Sequence, residues 1–231
     1  MKRILGVVLV ALGAWPAMAS AQLVGHQPSS SPYYDLPYKQ EWTLYGGEFF
    51  GRTGRAGVGP GQAPLIGLRY GIRLGGPVDF FTQIARSFSN RTVLDPADTG
   101  AARVVGKTSA PVYLANIGLG FNLTGQKSYH HFVPVVNAGL GVASDGGKGK
   151  DVGGFSLGTP FALNFGVGLR WAPRGHYQLR AEFTDYLYAL NYPPRYFQAP
   201  TSTSTPILPP ATSAKQWTHN PVLSLGLSYV Y

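Results

Sequence analysis

The chain has 231 residues, a formal net charge of +9 at pH 7 and no cysteine, which excludes disulfide bridges and thiolate metal sites. Charged residues make up only 13% of the chain, whereas glycine (31 residues) and aromatic residues (13%) are abundant. Beyond the N-terminus, no apolar stripe with helical spacing is long enough to predict a helix, so the composition favours an all-β domain.

The N-terminus has the features of a secretory signal peptide. Two basic residues precede an apolar run from Ile4 to Ala14, and small residues ending at Ala19 or Ala21 offer two cleavage sites. The run is shorter than the ~20 apolar residues of a spanning helix, which disfavours an uncleaved anchor. We expect cleavage after Ala21 and three segments: a signal peptide over residues 1–21, an extended periplasmic lead-in over 22–41 and a folded domain over 42–231.

Eight segments alternate between large apolar side chains on one face and small or polar side chains on the other, which is the period of a β-strand. They cover approximately residues 41–51, 65–74, 78–89, 112–123, 130–142, 157–171, 176–190 and 220–231. The sixth shows the pattern most clearly, with Phe165, Leu169 and Trp171 opposite Asn164 and Arg170. Arginines on the small-residue face of several strands indicate a barrel whose apolar face points outward into lipid.

The connections between these segments alternate in length. The long ones are residues 52–64, 90–110, 143–155 and 191–216, and the short ones are 75–77, 124–128 and 172–175. Outer-membrane barrels have short periplasmic turns and longer extracellular loops. The chain is therefore predicted to be an eight-stranded antiparallel up-and-down transmembrane β-barrel with both termini periplasmic.

The face predicted to line the lumen carries charges of both signs. These residues are Glu48, Arg69, Arg73, Asp79, Arg170, Arg180 and Glu182. With Glu48 inward, Tyr45 and Phe49 are predicted to face outward. An eight-stranded barrel is just wide enough for its own side chains to fill it, and buried charges are costly unless paired. The set predicts a structural ion-pair plug, and a gated polar pore is the alternative.

The alternation from Phe161 to Trp171 and the terminal strand over residues 220–231, which ends in an aromatic residue, carry a resemblance. The chain resembles the small eight-stranded outer-membrane barrel family, the group of the OmpA transmembrane domain and OmpX. Members more often end in Phe than in Tyr. The resemblance implies a Gram-negative outer membrane and fixes no activity. It also implies that the barrel-assembly machinery reads the last strand, through Leu223, Leu225, Leu227, Tyr229 and Tyr231.

The excess of basic residues is interpreted against anionic lipid rather than nucleic acid, because an exported protein meets no nucleic acid. Candidate contacts with lipopolysaccharide phosphates are Arg86, Arg91, Arg103, Lys107, Lys148, Lys150 and Arg195. We expect outer-membrane lipid and lipopolysaccharide as partners, a monomer, and neither a cofactor nor a metal site. The predicted function is a structural or surface-interaction role in the cell envelope.

Two other functions stay open: a small pore or transporter for small solutes, and a lipid A-modifying enzyme. A deacylase needs an aligned serine, histidine and acid at the outer rim. His130, His131 and His176 are predicted at the periplasmic end, whereas His219 is predicted near the outer rim with Asp185 nearby. Because no His-x-Ser sequence occurs, we expect no enzymatic activity. A soluble lipocalin-type barrel, with its apolar face inward, is the alternative fold.

Overall fold

The computed structural model describes residues 31–231, so the predicted signal peptide and residues 22–30 of the predicted lead-in lie outside the described residues. This range contains twelve strands: β1 (Tyr33–Asp35), β2 (Gln40–Phe49), β3 (Ala63–Gly75), β4 (Val78–Ser87), β5 (Asn90–Leu94), β6 (Val104–Ser109), β7 (Val112–Asn122), β8 (Lys127–Tyr129), β9 (Phe132–Ser144), β10 (Phe161–Trp171), β11 (Tyr177–Asn191) and β12 (Lys215–Val230).

Eight of these strands close into one antiparallel barrel. They pair in the order β2-β3-β4-β7-β9-β10-β11-β12, and β12 pairs back to β2, with Val230 opposite Glu41. Each barrel strand pairs with the barrel strands that come before and after it in the chain, so the predicted eight-stranded up-and-down fold is confirmed. Within residues 31–231, the helical segments are two short 3-10 turns, and none has the length and apolarity needed to cross a membrane.

The barrel turns its apolar side chains outward and its polar side chains inward. On β10, Phe165 is 56% exposed, whereas Asn164 and Arg170 are each 1% exposed. On β12, Leu225 is 69% exposed, while its neighbour Ser224 is buried. The reverse arrangement, with the apolar face inward, would have been that of a soluble lipocalin-type barrel. The alternation along the strands therefore predicted the correct face for these residues.

The connections at the two ends of the barrel differ in size, as the sequence predicts. At one end lie four long loops: loop 1 (residues 50–62), loop 2 (88–111), loop 3 (145–160) and loop 4 (192–214). Loop 2 contains the β5–β6 hairpin, and the 3-10 turns Gly100–Arg103 and Pro194–Phe197 lie in loops 2 and 4. At the other end, short turns connect β3 to β4 and β10 to β11, and a longer turn that contains β8 connects β7 to β9.

Residues 33–39, here called the N-terminal strap, lie across the short-turn end. The strap pairs with the turn between β7 and β9, with Tyr33 opposite Tyr129 in the β1–β8 pair. Leu36 is buried against Val133 and Ala172. β2 begins at Gln40, two residues before the predicted start of the folded domain at residue 42.

The prediction that Glu48 faces the lumen is wrong. Glu48 is half-exposed and stands opposite Leu223, which points outward, whereas Phe49 is fully buried. Tyr45 lies on the same inward face as Phe49. The physical reason is that the half of the lumen next to the long loops is apolar, so the aromatic ring of Phe49 belongs inside and the carboxylate outside.

Candidate functional site: the lumen and the loop-side rim

A network of buried ion pairs fills the half of the lumen near the short turns. Glu41 on β2 accepts hydrogen bonds from Arg170 at 3.0 Å and from Arg180 at 2.6 Å. Arg180 also donates to Glu182 at 2.7 Å, and Arg69 lies 3.4 Å from the same carboxylate. These five side chains are at most 9% exposed. Strands β2, β3, β10 and β11 thus supply mutually neutralising charges.

A second branch of the network runs through Asp79 on β4. Asn122 donates to Asp79 at 2.9 Å and accepts from Arg170 at 2.7 Å, so the amide links the two branches. Arg73 lies 3.4 Å from Asp79 and donates to the carbonyl of Leu36 in the strap at 2.7 Å. The strap therefore completes the hydrogen bonding of an arginine at the mouth of the lumen.

Aromatic rings cover the arginines that the carboxylates do not fully satisfy. The network contains four arginines and three carboxylates (Arg69, Arg73, Arg170 and Arg180 against Glu41, Asp79 and Glu182). The guanidinium carbon of Arg69 lies 3.8 Å from the ring centroid of Phe81. The strap residue Tyr38 lies 5.3 Å from Arg73 and 5.8 Å from Arg170 by the same measure. Such cation–π contacts stabilise the positive charge that the three carboxylates leave unbalanced.

A hydrophobic cluster, here called the loop plug, fills the other half of the lumen. Its barrel members Phe49, Tyr188 and Leu190 are fully buried. Its loop members are Val58, Leu94, Phe155, Leu157, Tyr192, Tyr196 and Leu208, contributed by all four long loops. Burial raises the pKa of the Tyr196 hydroxyl well above its usual range, and the nearby charge of Asp151 adds to the increase. The loops thus fold inward over the mouth of the barrel.

Of the network residues predicted from the sequence, Arg69, Asp79, Arg170, Arg180 and Glu182 are buried in the lumen, and Arg73 lies near its short-turn mouth. Sequence reasoning left out Glu41, the carboxylate with the shortest arginine contact of the network (2.6 Å to Arg180), because it was assigned to the lead-in. The alternation that places Glu41 in the lumen is visible in the sequence, because polar Glu41 and Thr43 alternate with apolar Trp42 and Leu44 at the start of β2. Glu41 and Thr43 are buried, whereas Trp42 and Leu44 are exposed.

The seven basic residues predicted to contact lipopolysaccharide differ in whether their charges are already paired inside the protein. Arg91 pairs with Asp151 at 2.6 Å and lies over the ring of Phe155, so it holds loops 2 and 3 together. Arg103 donates to backbone carbonyls of loops 2 and 4. Arg91 is therefore unsuited to lipid contact, because its charge is already compensated inside the protein.

The other candidates present their charges to the surroundings. The exposed side chains are Arg86, Lys107, Lys148, Lys150 and Arg195. Lys148 donates one hydrogen bond to the carbonyl of Ser109 at 2.6 Å and keeps its remaining donors free. Arg86 is on the outward face of β4, between the rings of Phe88 and Tyr113. An arginine flanked by aromatic rings near a strand end suits the boundary between hydrocarbon and headgroups.

The histidines lie at the ends of the barrel that the sequence predicts for them. His130 and His131 lie in the turn before β9, and His176 lies in the turn before β11, all at the short-turn end. His219 lies near the loop side of β12, and its Nδ1 is 2.6 Å from Asp185. No serine hydroxyl is hydrogen-bonded to His219 within residues 31–231. In the same range, no group of three or more histidine and acidic residues could hold a metal ion.

Comparisons with known proteins return likeness of fold. No family model matches the chain, and no curated protein matches it. Among solved structures, Neisserial surface protein A is 13% identical, with 87% of this chain and 98% of that chain covered and a TM-score of 0.47. The outer membrane protein OprG from Pseudomonas aeruginosa is 11% identical, with coverages of 84% and 97% and a TM-score of 0.46.

A third similar structure is Ail, the attachment invasion locus protein of Yersinia pestis, in complex with the heparin analogue sucrose octasulfate. It is 14% identical, with 84% of this chain and 99% of that chain covered and a TM-score of 0.39. The closed eight-stranded barrel follows from the strand pairings of this chain itself.

Proposed function

We propose that the chain is an integral outer-membrane β-barrel with a structural or surface-interaction role. The observation that carries the proposal is the apolar outer wall. Large hydrophobic side chains on all eight barrel strands are well exposed, among them Leu44, Leu68, Ile84, Ile117, Leu140, Phe165, Phe183 and Leu225. A continuous apolar surface of this extent is unfavourable in water and favourable in hydrocarbon.

The orientation follows from the difference between the two ends. Short turns are typical of the periplasmic side and long loops of the extracellular side. On this basis, the short turns and the strap face the periplasm, and loops 1 to 4 face outward. The last strand presents Leu223, Leu225, Leu227, Tyr229 and Tyr231 on its outer face, where we propose that the barrel-assembly machinery reads them.

The filled lumen supports a structural role over a pore. The ion-pair network and the strap occupy one half, and the loop plug occupies the other. A conducting path would have to displace charges that are already paired or a packed aromatic cluster. Both are costly, since breaking a buried ion pair costs about 3–5 kcal/mol. We therefore place the interaction surface of the protein on the loops, not in the lumen.

For the loops, we propose contact with lipopolysaccharide phosphates. The support is the set of exposed cations on loops 2, 3 and 4, namely Lys107, Lys148, Lys150 and Arg195. Charge-assisted hydrogen bonds from such side chains to phosphate oxygens are stronger than neutral ones. Arg86, on the outer face of β4 just below the loops, would reach the lipid headgroups at the boundary between hydrocarbon and water.

The test has two steps. In an outer-membrane fraction, the unheated protein should migrate faster on a detergent gel than the boiled protein, and a single mobility would contradict the barrel in a membrane. In the second step, neutralising the four loop cations to Gln should reduce lipopolysaccharide that co-purifies with the heat-modifiable protein. The control replaces three exposed cations at the opposite end, Lys39, Lys127 and Arg174, with Gln. Unchanged co-purification in the loop variant would refute the lipopolysaccharide contact.

The pair of His219 and Asp185 is the one observation that favours a lipid A-modifying enzyme. Asp185 orients the imidazole as an acid does in a catalytic triad, but the hydroxyl nucleophile is not hydrogen-bonded to it in the described residues. We therefore propose a non-catalytic protein. Lipid A from cells that express it should have an unchanged mass spectrum, and a lost acyl chain that reappears in the H219N variant would reverse this conclusion.

A further inference from the structure

An open pocket of about 540 Å³ lies at the outer rim, between loop 1 and the start of β12. Its side chains are Arg52, Thr53, Arg55, Gln216, Trp217, Thr218 and His219, with Gly54 between them. None of these lining residues is acidic. Because the polar groups are mostly hydrogen-bond donors and two are permanent cations, the pocket suits an anion.

The backbone of loop 1 is held in place at this pocket. The amide of Arg52 donates to the side chain of Asn220 at 3.0 Å, and the amide of Arg55 donates to Gln216 and to Tyr192, each at 2.9 Å. Between them, Gly54 has a φ of 71°, a left-handed conformation that suits glycine. The two arginines therefore project from a preorganised turn rather than from a free loop.

The Gln216 amide is oriented as well. The Gln216 carbonyl oxygen accepts from Tyr192 at 2.6 Å and from the Arg55 amide, so its NH₂ group is left without a partner among residues 31–231. His219 has its Nδ1 on Asp185, and its Nε2 makes no hydrogen bond in the same range. The guanidinium groups of Arg52 and Arg55 are exposed and make no ion pair there either.

The position of the pocket indicates which anion. Trp217 and His219 are on the outward face of β12, above Leu223, and the ammonium of Lys215 lies 5.1 Å from the Trp217 ring. Tryptophan and tyrosine mark the headgroup level of a membrane. An anion bound here would lie beside the hydrocarbon, where phosphates of lipid headgroups are abundant.

We infer that this rim pocket is a binding site for the phosphate of a membrane lipid, with Arg52, Arg55 and the Gln216 amide as its donors. The inference rests on the proposed function, because it needs the barrel to be in a bilayer. It assigns lipid contact to loop 1, a different part of the rim from the cations of loops 2, 3 and 4.

The test uses the full-length protein in phosphatidylcholine nanodiscs with a small fraction of phosphatidic acid, a lipid whose headgroup is a phosphate monoester. Lipids retained on the protein are counted by native mass spectrometry. The wild type should retain phosphatidic acid in preference to phosphatidylcholine. The R52Q/R55Q variant should bind it about tenfold more weakly or worse, since two charge-assisted hydrogen bonds are lost.

The control variant K39Q/R174Q carries the same change of charge at the short-turn end and should keep the preference. Arg52 and Arg55 are exposed, and a heat-shifted gel band verifies that each variant is folded. Equal retention by wild type and R52Q/R55Q would overturn the site. Displacement of the lipid by millimolar inorganic phosphate would overturn the choice of a lipid headgroup. The proposed function fails separately, by loss of heat-modifiability or of lipopolysaccharide co-purification.

Discussion

Replacing Glu41 with Gln tests the buried ion-pair network most directly. The substitution preserves size but removes the carboxylate that pairs with Arg170 at 3.0 Å and Arg180 at 2.6 Å. Four buried arginines would then face two carboxylates instead of three. Because removing one partner of a buried pair leaves an uncompensated charge, we expect a loss of about 3–5 kcal/mol in the free energy of unfolding.

The measurement is urea unfolding in lipid vesicles, followed by the heat-shifted gel band. With a loss of about 3 kcal/mol and a denaturant slope of about 2 kcal/mol per molar, the midpoint should fall by about 1.5 M. The matched control is E48Q on the same strand, because the side chain of Glu48 faces outward and is half-exposed. This variant should change the free energy of unfolding by less than about 0.5 kcal/mol. Equal midpoints for E41Q and E48Q would refute the network as a source of stability.

A double-mutant cycle separates charge pairing from other effects of the substitution. Glu41 and Arg180 belong to strands β2 and β11, which both pair with β12. If the pair interacts as its geometry indicates, E41Q/R180Q should be less destabilised than the sum of the two single variants, by about 1 kcal/mol or more. Additive losses would show that the two residues act independently.

Three further predictions concern the lumen and the loops. Purified protein in planar bilayers should show no steady conductance, because both halves of the lumen are filled, and stable open channels would support the pore alternative. D151N removes the negative charge that pairs with Arg91 and leaves one acceptor oxygen for the two donors Arg91 and the Phe155 amide, so loop 3 should be cut faster by added protease, whereas K150Q should be cut at the wild-type rate. F49A removes a fully buried ring and should cost about 3–5 kcal/mol in urea unfolding; no change in midpoint would show that the loop plug is loosely packed.

The sequence predicts the barrel well because the barrel depends on a period of two. Wherever apolar and small residues alternate without interruption, as in β10, the direction of each side chain follows from its position. The same rule places Arg69 and Arg170 inside before any pairing is known. A closed barrel then brings together charges that are far apart in the chain, although the alternation does not say which arginine meets which carboxylate.

The errors arise where that period is weak or absent. Gly46 and Gly47 interrupt β2, and the assumption that the charged residue Glu48 lies inside then placed Glu48 in the lumen in place of Phe49. That assumption fails because the lumen is polar in one half and apolar in the other. The loop plug and the rim pocket could not be predicted, since the four long loops have no repeating pattern that indicates their contacts.

The placement of Glu41 has a consequence for how the barrel folds. Its partners Arg170 and Arg180 are more than a hundred residues away in the chain, and they reach it only when β2 joins β12 and the wall closes. A sheet that is complete except for this seam would still carry both arginines without their carboxylate. Closure of the barrel and pairing of its buried charges are thus one cooperative event. An intermediate in which β2 and β12 are still unpaired is destabilised by arginines that lack their carboxylate.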